Sequence, residues 1–369
     1  MRPRYLTAGL MLLLMWTAIG YASAASDASG QASRLWRLAE NEQATLEARG
    51  VVLHDAPLSS YIMDVAGRLW KQVSSDLDSP TIRIFMDTGI EAYAFPNGHC
   101  FLSTGMLELI ENESQLAMIL SHEIVHYARQ HTASLYNHFQ KTTLPIDRQD
   151  AGRNSMAGRR TIQKQIDAAE HQADSEGLSI LKAAGYCEAE VLPLMCNLTK
   201  RMQDRGHSET VGQLEKRAAF FKMRVGKDRK RHPGPMSAET DREGYLDRIA
   251  PALMANAQIA LRRGEWDQAD RSICKFLDSR PEDARAHYLK GEMLRRQNSN
   301  ANDNPCIGSY QKALNIDPTF PLAHRALGEW YYKAGRYQMA KPYFEAFLSL
   351  APEDKAREFI KGYLRQCQN

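Results

Sequence analysis

The sequence has no surplus of one charge sign. Its 47 basic and 44 acidic residues leave a formal net charge of +3. Loss of Arg2 and Arg4 from the amino terminus would bring it close to neutral, so charge offers no ground for nucleic-acid binding. Long apolar runs are also lacking. The mean hydropathy is −0.48 and a single segment approaches membrane-spanning character, which excludes a polytopic membrane protein. None of the six cysteines has the close spacing of a zinc ribbon or a thioredoxin-type site. No Ser nucleophile elbow, P-loop or Rossmann fingerprint is present. What is there is ordinary globular material, 43% apolar and 25% charged, which excludes wholesale disorder and collagen-like repetition. The 369 residues leave room for two domains.

Residues 1–24 read as a secretory signal. Arg2 and Arg4 precede an apolar stretch from Leu6 to Ile19, and Ala22-Ser23-Ala24 supplies small residues for cleavage. No cysteine follows the apolar run, so a lipoprotein is not indicated. In a bacterium the destination would be the periplasm, an oxidising compartment. Cys187 and Cys196 are badly placed for each other, because a helix between them would hold them about 13 Å apart along its axis.

The periodicity predicts a mainly α fold. Helices are expected over 32–49, stopping at Gly50, and over 58–73. Alternation predicts a strand over 81–86. A turn at Phe95-Pro96-Asn97-Gly98 leads into a second short strand at 99–103. Asn112, with Gln115 three residues on, opens a helix running to about His131. The Pro- and Gly-containing stretch 141–159 is expected to be a loop suited to a lid. A helix over 161–184 should stop at Gly185, and another should follow to about Arg201. From residue 246 the texture becomes helix pairs. Ala269, Ile273, Phe276 and Pro281 align with Cys306, Tyr310, Ala313 and Pro318, and again with Ala340, Phe344, Phe347 and Pro352. Gly291 and Gly328 fall where paired helices would cross. This resembles the tetratricopeptide repeat, with about three repeats and a possible capping helix at 355–367. In the last repeat His324 stands where Trp is usual. The expected organisation is a signal over 1–24, an α+β catalytic domain with a small sheet over 25–245, and an all-α repeat solenoid over 246–369.

His122-Glu123-Ile124-Val125-His126 lies within the helix that Asn112 opens. Residues four apart share a helical face, so both imidazoles can address one ion, with Glu123 beside them to take a proton from water. Zinc suits such donors and keeps an open position for water. Glu170 and Asp174 are likewise four apart. Glu170 suits the third ligand, and Asp174 can accept the free ring N–H of a ligating histidine. His171 is a rival ligand, turned about 100° from Glu170 on its helix. A metzincin arrangement is excluded, since Arg129 and Thr132 occupy the positions that would need Gly and His.

Several segments recur in one order: Glu91-Ala-Tyr-Ala-Phe-Pro96-Asn-Gly98, Thr104-Gly-Met-Leu, Gln115-Leu-Ala, the His122 to His126 motif, Glu170-x-x-Ala-Asp174, Ala184-Gly185-Tyr186 and His232-Pro233. Over residues 33–245 the chain resembles the gluzincin family of HtpX, the CAAX-prenyl-protein endoprotease and the BepA-type exported peptidases. The signal and the repeats bring it nearest to the last. The resemblance implies one Zn2+ on His122, His126 and Glu170, with Glu123 as base and Asp174 behind a ligand. It also implies outer-membrane protein quality control as the process. Glu91 and Ile124-Val125 depart from the common family pattern but lie outside those positions.

A tetrahedral intermediate needs a donor aimed at its oxyanion. His232 is the candidate, with Arg242 second; His232 could instead cap the zinc in a resting state, or be a plain surface-loop histidine. Strand 99–103 could offer a free edge to an extended substrate. The basic run Lys227, Arg229, Lys230 and Arg231 reads as solvated linker, leaving at most peripheral membrane contact. His99, His131 and His138 read as surface or packing residues. Protein or peptide substrates are expected, with the repeats recruiting substrate, outer-membrane proteins or their assembly machinery. The alternative is a repeat-based periplasmic chaperone or adaptor with an idle or regulatory metal site.

Overall fold

The computed structural model describes residues 28–136, 151–228, 241–297 and 305–367. The signal segment, the 141–150 part of the expected loop, His138, His232 and the inter-repeat loop 298–304 lie outside them. The chain divides into two compact units, Met1–Ala252 and Leu253–Asn369.

In the first unit, helix α1 (Ala28–Ala48) stops on Gly50 at φ +62°. The Gly50 N–H donates to Glu47 and the Val51 N–H to Leu46, a left-handed cap that suits a residue without Cβ. Helix α2 (Ala56–Trp70) starts on Asp55, whose side chain accepts the Leu58 N–H. Its buried Leu58, Ile62, Val65 and Leu69 form one helical stripe.

Strands β1 (Thr81–Phe85), β2 (Ala92–Ala94) and β3 (His99–Ser103) make a sheet in the order β1-β3-β2. β1 runs parallel to β3, and β2 antiparallel to it. β2 was not legible, because three residues are too few for alternation to register. Its presence corrects one expectation: the 99–103 strand is central and hydrogen-bonded on both sides, not a free edge. The turn through Gly98, at φ +84°, folds β2 back along β3, and the outer edge belongs to β2. Phe85, Tyr93, Phe95 and Phe101 pack together, with neighbouring rings 5.5–6.5 Å apart.

Helix α3 (Thr104–Leu109) is a short element not read from sequence. Helix α4 (Glu113–Ala128) begins as expected on Asn112, which accepts the Gln115 N–H at 3.0 Å. The Gln115 side chain reaches back to the Glu111 N–H. Nearly every side chain of α4 is buried, so it is the spine of the unit.

Helix α5 (Ala151–Ala183) overturns part of the expected loop, since 151–159 are helical. Gly152 and Gly158 each weaken a helix by about 1 kcal/mol. Extending a formed helix needs no new nucleus, however, and no proline intervenes after Pro145. α5 stops at Gly185, φ +83°. It packs closely on α4 at Gly177, where a Cβ would lie 3.3 Å from the His122 backbone nitrogen. Helices α6 (Val191–Asp204) and α7 (Ser208–Asp228) follow. α7 is a third omission from the sequence reading, after β2 and α3, because its buried Leu214, Phe221 and Val225 are diluted among charged residues.

Helix α8 (Asp241–Arg263) leads into the second unit, where α9 (Trp266–Ser279), α10 (Ala284–Gln297), α11 (Cys306–Ile316), α12 (Pro321–Lys333), α13 (Tyr337–Leu350) and α14 (Arg357–Gln366) form the repeats. All nine residues aligned before the repeat prolines are buried. His324, in place of Trp, donates to the Pro318 carbonyl at 2.8 Å, as His287 does to Pro281. Gly291 and Gly328 are crossing points: a Cβ would sit 2.4 Å from the Tyr310 ring and 2.6 Å from the Phe344 ring. Gly328→Ala is therefore expected to destabilise the repeats by about 1–3 kcal/mol through overpacking. Thermal unfolding of the full chain would show this as a lower midpoint, despite the better helix propensity of alanine.

No disulfide forms among the six cysteines. No helix among the described residues is long and apolar enough to cross a membrane.

Candidate metal centre

The site forms where α4 and α5 cross. His122 and His126 are one turn apart on the buried face of α4, 5% and 6% exposed. Glu170 on α5 faces them. The two Nε2 atoms lie 3.1 Å apart. The Glu170 carboxylate oxygens lie 3.5 Å from each, Oε2 near His122 and Oε1 near His126. Ligands 2.0–2.1 Å from a tetrahedral ion stand about 3.3 Å from one another, so these three atoms have the spacing of a single cation's shell. They are also the one group of three or more candidate ligands found among the described residues. His171 points elsewhere, with its ring 4.8 Å from that of Phe220.

Proton placement gives a second test of fit. Asp174 Oδ1 lies 3.0 Å from His122 Nδ1, so that ring donates from Nδ1 and turns Nε2 toward His126 and Glu170. His126 Nδ1 faces His131 Nδ1 at 3.1 Å, which engages its outer nitrogen as well. Two ring nitrogens 3.1 Å apart beside a carboxylate call for positive charge between them, either a proton carried by one ring or a cation shared by both. The protein's own charges agree. Burial pulls His122 down, but its bonds to Asp174 and Glu170 outweigh this and raise it to about 9. Burial pushes Glu170 up, yet His122 and its neighbours overcome that and hold it near about 2. Burial together with His122 drops His126 to about 3. The pocket is set to hold positive charge between the rings.

Glu123 is buried on the same turn and accepts a hydrogen bond from the Ala94 backbone, so the edge strand β2 helps fix it. Burial raises its carboxyl to about 7, which lets it hold or release a proton near neutrality.

Arg217 on α7 was not identified from sequence. Its Nε and Nη2 donate to the two Asp174 oxygens at 2.8 and 2.6 Å, and its Nη1 is 3.7 Å from Glu170 Oε2. Asp174 is held well below the usual carboxylate range: burial opposes this, and Arg217 and His122 prevail. No local motif marks Arg217, since its pairing spans 43 residues and the helix carrying it was itself missed. Arg242, the second oxyanion candidate, bonds Glu111 Oε2 at 3.1 Å.

The profile of peptidase family M48 matches residues 58–263, more than half of the chain. The chain belongs to peptidase family M48. Tetratricopeptide-repeat profiles match residues 254–303 and 307–335, so the M48 region is followed by repeats of that type. Similar proteins include a putative beta-barrel assembly-enhancing protease of Vibrio cholerae, 30% identical over 162 residues, covering 38% of this chain and 33% of that protein. The beta-barrel assembly-enhancing protease of Escherichia coli K12 is 22% identical over 236 residues, covering 58% of this chain and 47% of the relative. That of Yersinia pestis is 23% identical over 177 residues, covering 43% and 36%. The chain thus spans between about a third and a half of the length of these relatives. The family resemblance read from the ordered motifs is borne out, and M48 peptidases provide the setting for the cluster described above.

Proposed function

We propose that this M48 chain is a zinc-dependent endopeptidase of the periplasm, acting on protein substrates in outer-membrane protein quality control. Its peptidase domain would occupy 25–245 after a signal over 1–24. The repeats over 246–369 would recruit substrate or an assembly partner. The observation that carries this reading is the convergence of His122, His126 and Glu170 on one point with Glu123 alongside. The names of the relatives support the process.

In this reading His122 Nε2, His126 Nε2 and Glu170 hold one Zn2+. Bound there, zinc would polarise the scissile carbonyl and acidify a water toward a pKa of about 7. Glu123 takes the proton of the attacking water and delivers it to the leaving amine. Asp174, clamped by Arg217, keeps His122 in the tautomer that exposes Nε2. The outward edge of β2, next to Glu123, is where an extended substrate backbone would lie. His232, outside the described residues, is the proposed oxyanion donor.

The test is digestion of casein and of denatured outer-membrane protein by purified full-length protein. Cleavage is expected to vanish on chelation and to return with stoichiometric zinc. Cleavage indifferent to chelation would contradict the zinc mechanism. Zinc binding without any cleavage would favour the chaperone or adaptor role.

A further inference from the structure

His126 differs from His122 in what stands behind it. His122 leans on a carboxylate, whereas the outer nitrogen of His126 faces a third imidazole. That contact depends on an unusual piece of backbone. In an uninterrupted helix, a residue five positions on lies about 140° around the axis from His126 and could not touch it. Here α4 ends, and Gln130 takes φ +52°, a left-handed conformation uncommon outside glycine. Its side chain is bonded to the Tyr127 carbonyl at 2.9 Å. A helix then restarts at residue 131. The reversal brings the His131 ring to a centroid distance of 5.0 Å from His126, and His131 is 7% exposed.

The hydrogen-bond directions along this contact can be assigned in sequence. Arg129 donates to Glu176 Oε2 from Nε at 2.9 Å and Nη2 at 2.8 Å. The other oxygen, Oε1, accepts the Gln172 amide N–H at 2.7 Å. That bond turns the Gln172 carbonyl oxygen toward His131 Nε2, 3.2 Å away, so His131 carries its proton on Nε2. Its Nδ1 is then an acceptor, 3.1 Å from His126 Nδ1. An ion that takes the lone pair of His126 Nε2 leaves that ring's proton on Nδ1, which is where His131 can receive it. Donors and acceptors alternate without conflict from Arg129 to the ligating atom.

We propose that His131 is a positioning residue for the metal site: it accepts the His126 Nδ1–H and is itself oriented by Gln172, Glu176 and Arg129. Through this contact it fixes the tautomer and ring angle that His126 offers the ion. The inference rests on the zinc-peptidase reading and assigns a role to a residue the sequence reading placed among packing histidines. The two ligating rings are then buttressed differently. His122 has an anionic acceptor, and His126 has a neutral one reached through a chain of partners that ends at the surface.

The experiment measures zinc affinity by chelator competition and the visible spectrum of the cobalt-substituted protein. The full-length chain is compared with His131→Leu, His131→Asn and Gln172→Leu. The Asn side-chain oxygen occupies about the place of the imidazole Nδ1 and can accept the same proton, whereas Leu fills space without accepting. His131→Leu is expected to weaken zinc binding by about 10–100-fold and to shift the cobalt bands. His131→Asn should stay within about threefold of wild type, because the acceptor is retained. Gln172 lies on the surface, so Gln172→Leu should fold and show a smaller loss of the same kind. Thermal midpoints of chelated samples report packing separately. Equal zinc affinity in wild type and His131→Leu would overturn the proposal. So would a loss in His131→Asn as large as that in His131→Leu. Wild-type protein that binds no zinc would instead overturn the underlying reading, and this proposal with it.

Discussion

Glu123→Gln is expected to leave zinc in place and lower kcat for peptide cleavage by roughly 10²–10⁴-fold, the usual contribution of a positioned general base. Gln keeps the size of the side chain and can still meet the Ala94 backbone region, but it cannot take a proton. The ligands His122, His126 and Glu170 are untouched, so zinc stoichiometry should match wild type. The pH profile sharpens the test. Burial places the Glu123 carboxyl at about 7, and a bound cation would lower that value by favouring the carboxylate. A base works in its deprotonated form, so wild-type kcat/KM should fall on the acid side, along a limb whose midpoint the bound cation moves below about 7. The residual activity of the variant should lack the Glu123 contribution to that limb. Equal cleavage by variant and wild type, with zinc bound in both, would remove Glu123 from the mechanism.

Arg217→Met should be among the most destabilising single substitutions in the first unit. Arg217 makes a two-bond contact to Asp174, whose side chain is 3% exposed. Removing one member of a buried pair typically costs about 3–5 kcal/mol, because the other charge is left uncompensated. Part of this loss should return in the Arg217→Met, Asp174→Asn double variant, since no orphaned carboxylate remains. Chemical denaturation of the four proteins, after chelation, gives the coupling. Asp174 has a depressed pKa in the fold. Its contribution is therefore fully present above the unfolded value of about 3.9 and is lost as pH falls toward the folded value. The wild-type advantage over Arg217→Met should shrink on acidification. Additive single effects would show that Arg217 and Asp174 do not act as a unit.

What could be read from sequence follows from how local each signal is. The HExxH spacing, the Asn112 cap and the stops at Gly50 and Gly185 are written within a few residues, and the structure places those elements accordingly. Glu170 and Asp174 were legible because their spacing repeats that of the histidines. The repeat glycines were legible because the pattern recurs. β2 escaped because it is three residues long, and the central placement of β3 is a pairing fact that only the hairpin determines. Arg217 was hidden because nothing near it in sequence announces a partner. His131 was hidden for a subtler reason: helical spacing would carry it away from His126, and the left-handed Gln130 that reverses this is not encoded by glycine.

The central claim is that residues distant in sequence grip one cation with room left for water. X-ray absorption at the zinc edge, on stoichiometrically loaded full-length protein with Glu170→Gln as comparison, tests it most directly. The account predicts one zinc per chain with two imidazole nitrogens at about 2.0–2.1 Å and a light-atom shell completed by carboxylate and water oxygen. It also predicts weaker retention and an altered shell in Glu170→Gln. Sulfur ligation, a shell with no imidazole, or a spectrum indifferent to Glu170 would contradict it.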